Sequence, residues 1–196
     1  MAAAIAIAIA YLIGSIPTGV LLGWSAGVDV RSAGSRNIGA TNVARTAGRT
    51  RGILTLVGDA LKGLLPVLAA RALELGDATV AGVAVAALCG HVFSIFLSFR
   101  GGKGVATGAG VLLGLAPAAA PIPIGVFAVA MALSRIVSLS SILASVSAPI
   151  VVWTFRYPPA FAWAAAAIGL LIVVRHRENI ARLMTGTERR FESRKA

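Results

Sequence analysis

Long runs without a charged residue are the feature that most limits how this chain of 196 residues can fold. Five such runs cover residues 2–28, 78–99, 104–134, 136–155 and 157–174. A helix of about 17 to 25 apolar residues crosses the hydrocarbon of a bilayer, so each run can cross at least once. The chain is only 13% charged, about half the value of an ordinary soluble domain. These features predict an all-α helix bundle embedded in a membrane and argue against a soluble domain.

Residues 52–70 predict a further span, although two charged residues, Asp59 and Lys62, interrupt it. Residues three apart lie on the same face of a helix, and charged groups inside a membrane usually pair or face the protein interior. We therefore expect Asp59 and Lys62 to pair with each other or to point into the protein.

The run 104–134 is unusually long for one span and has three prolines near its middle, Pro117, Pro121 and Pro123. Proline removes a backbone donor and clashes with the preceding helical turn, so three prolines this close together end a helix. We expect two short helices around a turn. These helices either cross the membrane twice or form a re-entrant hairpin.

The charged residues outside the spans are distributed unevenly. Residues 29–51 contain five arginines and one aspartate, a net charge of +4, and residues 100–103 add +2. Residues 71–77 carry −1, whereas the tail from residue 175 has seven basic and three acidic residues, again +4. Positively charged loops stay in the cytoplasm. This asymmetry tests the possible topologies.

Two crossings by residues 104–134 place every positive segment on the cytoplasmic side. The charge pattern therefore predicts seven transmembrane helices, some of them short, with the N-terminus outside and the C-terminus inside. Five spans with a re-entrant hairpin at 104–134 keep the same sidedness, and this alternative stays open. In either arrangement residues 1–196 form a single membrane-embedded domain.

The first positive loop combines glycines, hydroxyls, amides and arginines. Its candidate anion-binding residues are Ser35, Asn37, Gly39, Thr41, Asn42 and Arg45. Glycines let backbone N–H groups converge on an anion, hydroxyls and amides add donors, and arginine forms paired bonds to a phosphate. The same composition is equally typical of a polar turn between two helices.

The second positive loop has a lysine between glycines at the start of a predicted helix: Gly101, Gly102, Lys103 and Gly104. Unpaired N–H groups and the helix dipole favour an anion there. Close helix packing explains the later glycine pairs 104/108 and 110/114. It does not explain Lys103.

Further polar residues follow the later spans. Ser138, Ser140 and Ser141 open one helix, although serines in membrane helices often bond back to their own carbonyls. His176 and Asn179 begin a basic tail that a lipid surface would also attract. Together the loops predict an anion site on the cytoplasmic side. An organophosphate transporter, an enzyme and a lipid-binding scaffold all remain open at this point.

Five stretches of the chain, taken in order, resemble one protein family. They are residues 14–18 (GSIPT), 34–43 (GSRNIGATNV), 90–93 with 101–107 (GHVF and GGKGVAT), 138–141 (SLSS) and 176–180 (HRENI). Over about residues 11–188 the chain resembles the bacterial acyl-phosphate:glycerol-3-phosphate acyltransferases.

The resemblance implies transfer of a fatty acyl group from acyl phosphate to glycerol 3-phosphate. The products are 1-acylglycerol 3-phosphate (lysophosphatidic acid) and inorganic phosphate, in the first acylation of phospholipid synthesis. The implied location is the bacterial plasma (inner) membrane, crossed several times, with the active site facing the cytoplasm. The implied partners are the two substrates and the lipid bilayer, with the soluble enzyme that makes acyl phosphate as an option, and no nucleic acid.

The resemblance also implies roles for individual residues. Lys103, His176 and Asn179 are catalytic, and the residues that bind substrate or phosphate are Ser35, Asn37, Gly39, Thr41, Asn42, Arg45, Gly101, Gly102, Gly104, Ser138, Ser140 and Ser141. The donor is an activated mixed anhydride, so no nucleophilic serine or cysteine is needed. The acceptor proton passes either to His176 or to the donor phosphate.

One residue departs from the pattern of the family. Arg36 stands where the family usually has glycine, and the extra cation either tunes phosphate binding or points to the lipid surface.

One cysteine, Cys89, excludes an internal disulfide. With two histidines and no cluster of ligands in the sequence, we expect no metal and no other cofactor.

Overall fold

The computed structural model describes residues 1–191, and every regular element within them is helical. Residues 192–196, which include Glu192, Arg194 and Lys195 of the predicted basic tail, lie outside the described part. The helices are α1 (Ala2–Ser15), α2 (Thr18–Trp24), α3 (Ala40–Thr46), α4 (Arg49–Ala72), α5 (Asp77–Val92), α6 (Val105–Leu115), α7 (Pro121–Ser134), α8 (Val137–Thr154), α9 (Pro159–Arg175) and α10 (Arg177–Met184), with a short 3₁₀ helix at Ile95–Leu97.

The chain divides into two compact units. The first, Met1–Leu115, contains α1 to α6, and the second begins at Ala116 and contains α7 to α10. In the first unit α1 packs on α5 and α4 packs on α6; in the second, α8 packs on both α7 and α9. The single domain over residues 1–196 stays a prediction.

Within residues 1–191, four segments are long and apolar enough to cross a membrane: Ala2–Trp24, α4, α5 extended to Leu97, and α8. A fifth is added if α9 and α10, which are bent by 59°, count as one span. Two shorter apolar helices, α6 and α7, lie between α5 and α8. The all-α class is therefore confirmed for the described residues, whereas the count of seven crossings and their orientation stay predictions.

The proline-rich middle of residues 104–134 folds as expected. Helix α6 ends at Leu115, a turn follows, and α7 begins with Pro121 in its first turn. Proline fits that position because the first N–H groups of a helix have no partner within it. The two short helices around a turn are confirmed.

The first charge-free run contains a break that its composition did not predict. Helix α1 ends at Ser15 and α2 starts at Thr18, because Pro17 cannot donate a helical hydrogen bond. The freed carbonyls are bound by side chains of the same unit. Ser94 Oγ donates to the Ser15 carbonyl at 2.6 Å, and Lys62 Nζ donates to the Ile16 carbonyl at 2.8 Å.

Small residues allow α6 to lie close to α4. A Cβ on Gly110 would overlap the Ala60 carbonyl, and one on Gly114 would press on the Val67 side chain at 2.8 Å. The packing explanation of the glycine pair 110/114 is therefore correct. It leaves the glycines before α6 to be explained by the loop itself.

Candidate active site

The first polar loop is organised around the buried side chain of Asn42. Its Nδ2 group lies 2.8 to 3.1 Å from three carbonyl oxygens, those of Val30, Ala33 and Asn37. Its Oδ1 accepts the Ser35 N–H at 2.8 Å. Every polar atom of this amide is therefore engaged by the loop. Asn42 shapes the loop, and its direct contact with a substrate stays a prediction.

The other predicted residues of this loop lie around that amide. Asn37 Oδ1 accepts the Gly39 N–H at 2.8 Å, which forms a tight turn. The side chains of Ser35 and Arg45 are exposed, and Thr41 is half-buried in α3. The loop thus brings hydroxyl, amide and guanidinium groups to one short stretch of surface.

Arg36 adopts a left-handed backbone conformation, with φ of 59°. Glycine has no Cβ and adopts this conformation at little cost, whereas other residues are strained by about 1–2 kcal/mol. This accounts for the glycine that is usual at this position; nothing in the structure explains the arginine. The Arg36 side chain itself is exposed.

Asp29 and Arg31 open the loop with an ion pair of 2.8 Å. Hydrogen bonds from the Arg31 side chain and backbone lower the pKa of Asp29 from 3.8 to about 2. Arg31 also lies 5.5 Å from the centre of the Trp24 ring. The charge of Arg31 is thus used locally, by Asp29.

The second loop folds back on the end of α5. The Gly101 N–H donates to the Val92 carbonyl at 3.0 Å, and the Gly102 N–H donates to the His91 carbonyl at 3.1 Å. Gly104 has φ of 84°, a conformation that favours glycine. Lys103, half-buried, is held between these fixed points directly before the first turn of α6.

The two loops rest on a common base in the first unit. Val20, Val30, Ile38 and Val43 form a small buried cluster beneath the first loop, with Ala47 at its edge. Leu97, which precedes the second loop, packs against the same cluster. The structure therefore places the base of the lysine loop beside the base of the Asn42 loop.

The predicted serines of the second unit have different partners. Ser138 Oγ donates to Glu188 Oε1 at 2.7 Å. The hydroxyls of Ser140 and Ser141 donate to carbonyls four residues earlier, those of Ile136 and Val137, at 2.9 and 2.8 Å. Their oxygens can still accept a hydrogen bond, but their protons are used by the helix.

His176 lies at the bend between α9 and α10, and its side chain is buried. Its Nδ1 atom is 2.7 Å from the Ile172 carbonyl oxygen. A carbonyl oxygen only accepts hydrogen bonds, so Nδ1 carries the hydrogen. In the neutral ring Nε2 is then the basic nitrogen. This is the tautomer in which Nε2 can accept a proton.

Glu188 is a residue of this region that the sequence did not single out. Besides Ser138, its carboxylate accepts hydrogen bonds from Asn179 Nδ2 at 2.5 Å and from Arg182 Nε at 2.6 Å. Burial raises the pKa of Glu188, but these three hydrogen bonds outweigh it and hold the pKa below 4.5. The only signal in the sequence was an acidic residue within a basic tail.

Comparison with known proteins identifies the family. The family model for glycerol-3-phosphate acyltransferase matches residues 4–186. The chain belongs to the glycerol-3-phosphate acyltransferase family. Members from Geobacter sulfurreducens and Geobacter metallireducens are 51% and 54% identical to it, over 95% and 94% of this chain and 96% and 95% of theirs. A member from Rubrobacter xylanophilus is 47% identical over 94% of this chain and 92% of its own.

Solved structures of the acyltransferase family agree with the fold. The chain is similar to a crystal structure of PlsY, an integral membrane glycerol 3-phosphate acyltransferase, in its glycerol 3-phosphate form. The TM-score is 0.94 at 40% identity, over 98% of this chain and 96% of that one. The lysophosphatidic acid form of PlsY gives a TM-score of 0.92 with the same identity and coverage.

Membership of this family decides between the classes of function that the residues alone left open. The chain is an enzyme, an acyltransferase, and a multi-pass membrane protein. The transporter and the lipid-binding scaffold are set aside. Within the described residues no group of three or more His, Cys, Asp or Glu side chains could hold a metal ion.

Proposed function

We propose that this chain transfers a fatty acyl group from acyl phosphate to glycerol 3-phosphate, giving 1-acylglycerol 3-phosphate and inorganic phosphate. The observation that carries the proposal is the full-length similarity to acyltransferases of this family, one of them solved in a glycerol 3-phosphate form. The chemistry of the loops supports it, because both proposed substrates carry a phosphate and the loops are rich in phosphate-binding groups.

The reaction needs orientation and charge stabilisation more than a nucleophile from the protein. The acceptor hydroxyl oxygen attacks the carbonyl carbon of the mixed anhydride, the carbon–oxygen bond to phosphate breaks, and phosphate leaves. The donor is already activated, so an acyl-enzyme is not required. The half-buried Cys89 has no part in this scheme.

In the first unit we assign Lys103 to binding the phosphate of the acyl donor. The glycines on either side fix the backbone of Lys103 directly before α6, where helix N–H groups also favour negative charge. Lys103 would stabilise the charge that develops on the departing phosphate. Ser35, Asn37 and Arg45 supply further donors, with Gly39, Thr41 and Asn42 shaping the loop that holds them.

In the second unit we assign His176 and Asn179 to the reaction, with Ser138, Ser140 and Ser141 as binding residues. The tautomer of His176 supports a role for Nε2 as acceptor of the proton that the hydroxyl loses. The alternative acceptor is an oxygen of the donor phosphate. Replacing His176 by Ala separates the two, because loss of a general base lowers kcat by about 10²–10⁴-fold.

We propose seven crossings of the bacterial inner membrane, with the N-terminus outside and the active site facing the cytoplasm. One contact in the second unit supports full crossing by α7. The Tyr157 hydroxyl accepts the Ala118 N–H at 3.1 Å, so the turn before α7 lies level with the connection between α8 and α9. The charge distribution predicts that this connection lies outside. As residues 1–196 form one membrane domain in this scheme, both units belong to it.

Single cysteines test the topology in a Cys89→Ser background. Ala78→Cys and Ala118→Cys should react with an impermeant thiol reagent in intact cells, and Ser32→Cys should react only after lysis. Labelling of Ser32→Cys from outside would contradict the orientation. Labelling of Ala78→Cys without Ala118→Cys would favour the re-entrant hairpin over seven crossings.

An assay in detergent tests the reaction itself. Purified protein with acyl phosphate and glycerol 3-phosphate should release phosphate and form 1-acylglycerol 3-phosphate in equal amounts. A soluble enzyme that makes acyl phosphate is a proposed partner, and its addition should raise the rate only by supplying donor. Absence of lipid product would contradict the proposal.

A further inference from the structure

Three ionisable side chains are buried together in the first unit, and none of them belongs to the residues assigned above. Asp59, Lys62 and His91 are 3%, 5% and 4% exposed. Burying a charge is costly unless it is paired, and ionisable residues within membrane spans usually serve function. The reaction scheme uses none of these three, so their presence in the spans calls for another explanation.

The pair on α4 links this group to the break between α1 and α2. Lys62 Nζ lies 2.8 Å from Asp59 Oδ1 and also donates to the Ile16 carbonyl at 2.8 Å. The expectation from the sequence that Asp59 and Lys62 pair inside the protein is therefore confirmed. Such a pair is weak evidence for stability, because apolar residues of similar size often replace it without loss.

His91 connects the pair to the lysine loop. On one side its Nδ1 atom lies 3.7 Å from Asp59 Oδ1. On the other side its ring lies against Gly102, where a Cβ would overlap Nε2. The His91 carbonyl also accepts the Gly102 N–H at 3.1 Å. Ring and backbone of His91 thus both contact the residue that precedes Lys103.

We infer that Asp59 and His91 are positioning residues for Lys103. The ion pair with Lys62 fixes the Asp59 carboxylate, the carboxylate flanks the His91 ring, and the ring supports Gly102. This inference rests on the proposed function of Lys103 in binding the departing phosphate. A displacement of about 1 Å in such a contact costs about 100-fold in rate, so a support of this kind accounts for the buried charges.

The test compares two replacements of His91, each of which keeps a nitrogen at the place of one of the two ring nitrogens. The amide nitrogen of Asn can take the place of Nδ1, and that of Gln the place of Nε2. We expect His91→Gln to retain more kcat than His91→Asn, which should lose about 10- to 100-fold. KM should change much less than kcat in both variants, because the contact between Lys103 and the departing phosphate matters most in the transition state.

A charge-free double variant covers the case in which the His91 variants do not fold. Asp59→Asn with Lys62→Met removes both charges together and should keep the fold, but kcat per folded enzyme should still fall. Thr55→Val is the matched control: Thr55 is buried in α4, and its hydroxyl bonds only to the Arg51 carbonyl of the same helix. It should leave kcat unchanged.

Coupling to Lys103 distinguishes positioning from a general loss of structure. In a Lys103→Arg background the same substitutions should lower kcat by a smaller factor than in the wild type. The reason is that they and Lys103→Arg disturb the same contact with the phosphate. Unchanged kcat in the folded His91 and double variants would overturn the inference, and so would a cost equal to that in the wild type. Wild-type protein without acyltransferase activity would instead overturn the proposed function.

Discussion

The hydroxyl of Ser138 donates a hydrogen bond of 2.7 Å to Glu188, which lies 50 residues further along the chain. Because Asn179 and Arg182 bind the same carboxylate, Glu188 ties the segment after α10 back to α8 and α10. Glu188 thereby contacts two of the predicted site residues, Ser138 and Asn179.

Replacement of Glu188 by Gln should destabilise this region. The amide oxygen of Gln can still accept from Ser138 and Asn179, but its NH₂ group then faces the Arg182 donor and the charge is lost. Hydrogen bonds to charged groups contribute about 1.5–3 kcal/mol, so we expect Tm in detergent to fall by roughly 4–8 °C. Glu178→Gln, on the exposed face of α10, is the control and should leave Tm unchanged. Equal Tm values for wild type and Glu188→Gln would contradict this role.

The lowered pKa of Glu188 also predicts how stability depends on pH. The unfolded chain binds a proton at Glu188 more readily than the folded protein does, so the stabilisation is complete above the unfolded pKa near 4.5. It is lost as pH falls through the lower, folded pKa. The difference in Tm between wild type and Glu188→Gln should therefore be constant above about pH 5.5 and shrink below pH 4.5. A difference that grows on acidification would contradict the assignment.

Arg36→Gly should stabilise the protein. Glycine relieves the strain of φ 59°, while its greater freedom in the unfolded chain offsets part of the gain, which leaves about 0.5–1 kcal/mol. Arg36→Ala removes the same charge but keeps a Cβ, so it should not stabilise. A rise in Tm with Ala equal to that with Gly would show that charge, not backbone conformation, is responsible.

Lys103→Ala should remove most of the activity without preventing insertion or folding. A charge-assisted contact to phosphate contributes about 1.5–3 kcal/mol, which corresponds to roughly 10- to 150-fold, and more if it strengthens in the transition state. Arg should rescue poorly, because its planar fork does not replace a compact ammonium group between fixed glycines. Cys89→Ala is the control and should retain full activity. Near wild-type turnover of Lys103→Ala would contradict phosphate binding by Lys103 and would indicate that this loop serves helix packing.

The helical fold was largely predictable because it depends on local features of the chain. Charge-free runs predict helices in a membrane, and Pro117 and Pro121 mark the turn between α6 and α7. The break at Pro17 was missed, since a single proline kinks a membrane helix as readily as it divides one. The break is stabilised by hydrogen bonds from Lys62 and Ser94 to carbonyls at the end of α1. These are tertiary contacts, which a local pattern does not reveal.

The candidate site was predictable in its residue types but not in the roles of individual residues. An amide such as Asn42 can bind a phosphate or the backbone of its own loop, and the sequence does not distinguish the two. The structure assigns it to the loop. His91 is buried, and its contacts with Asp59 and Gly102 depend on other parts of the chain.

The choice of acyl donor tests the central proposal most directly. Binding groups for phosphate can position the carbonyl of acyl phosphate, whereas a thioester has no phosphate at the reacting carbon, so that binding energy is missing. The measurement compares palmitoyl phosphate with palmitoyl-CoA at matched concentration, with one purified sample and glycerol 3-phosphate as acceptor. We predict 1-acylglycerol 3-phosphate from palmitoyl phosphate and none from palmitoyl-CoA. Comparable rates from the two donors would contradict the account.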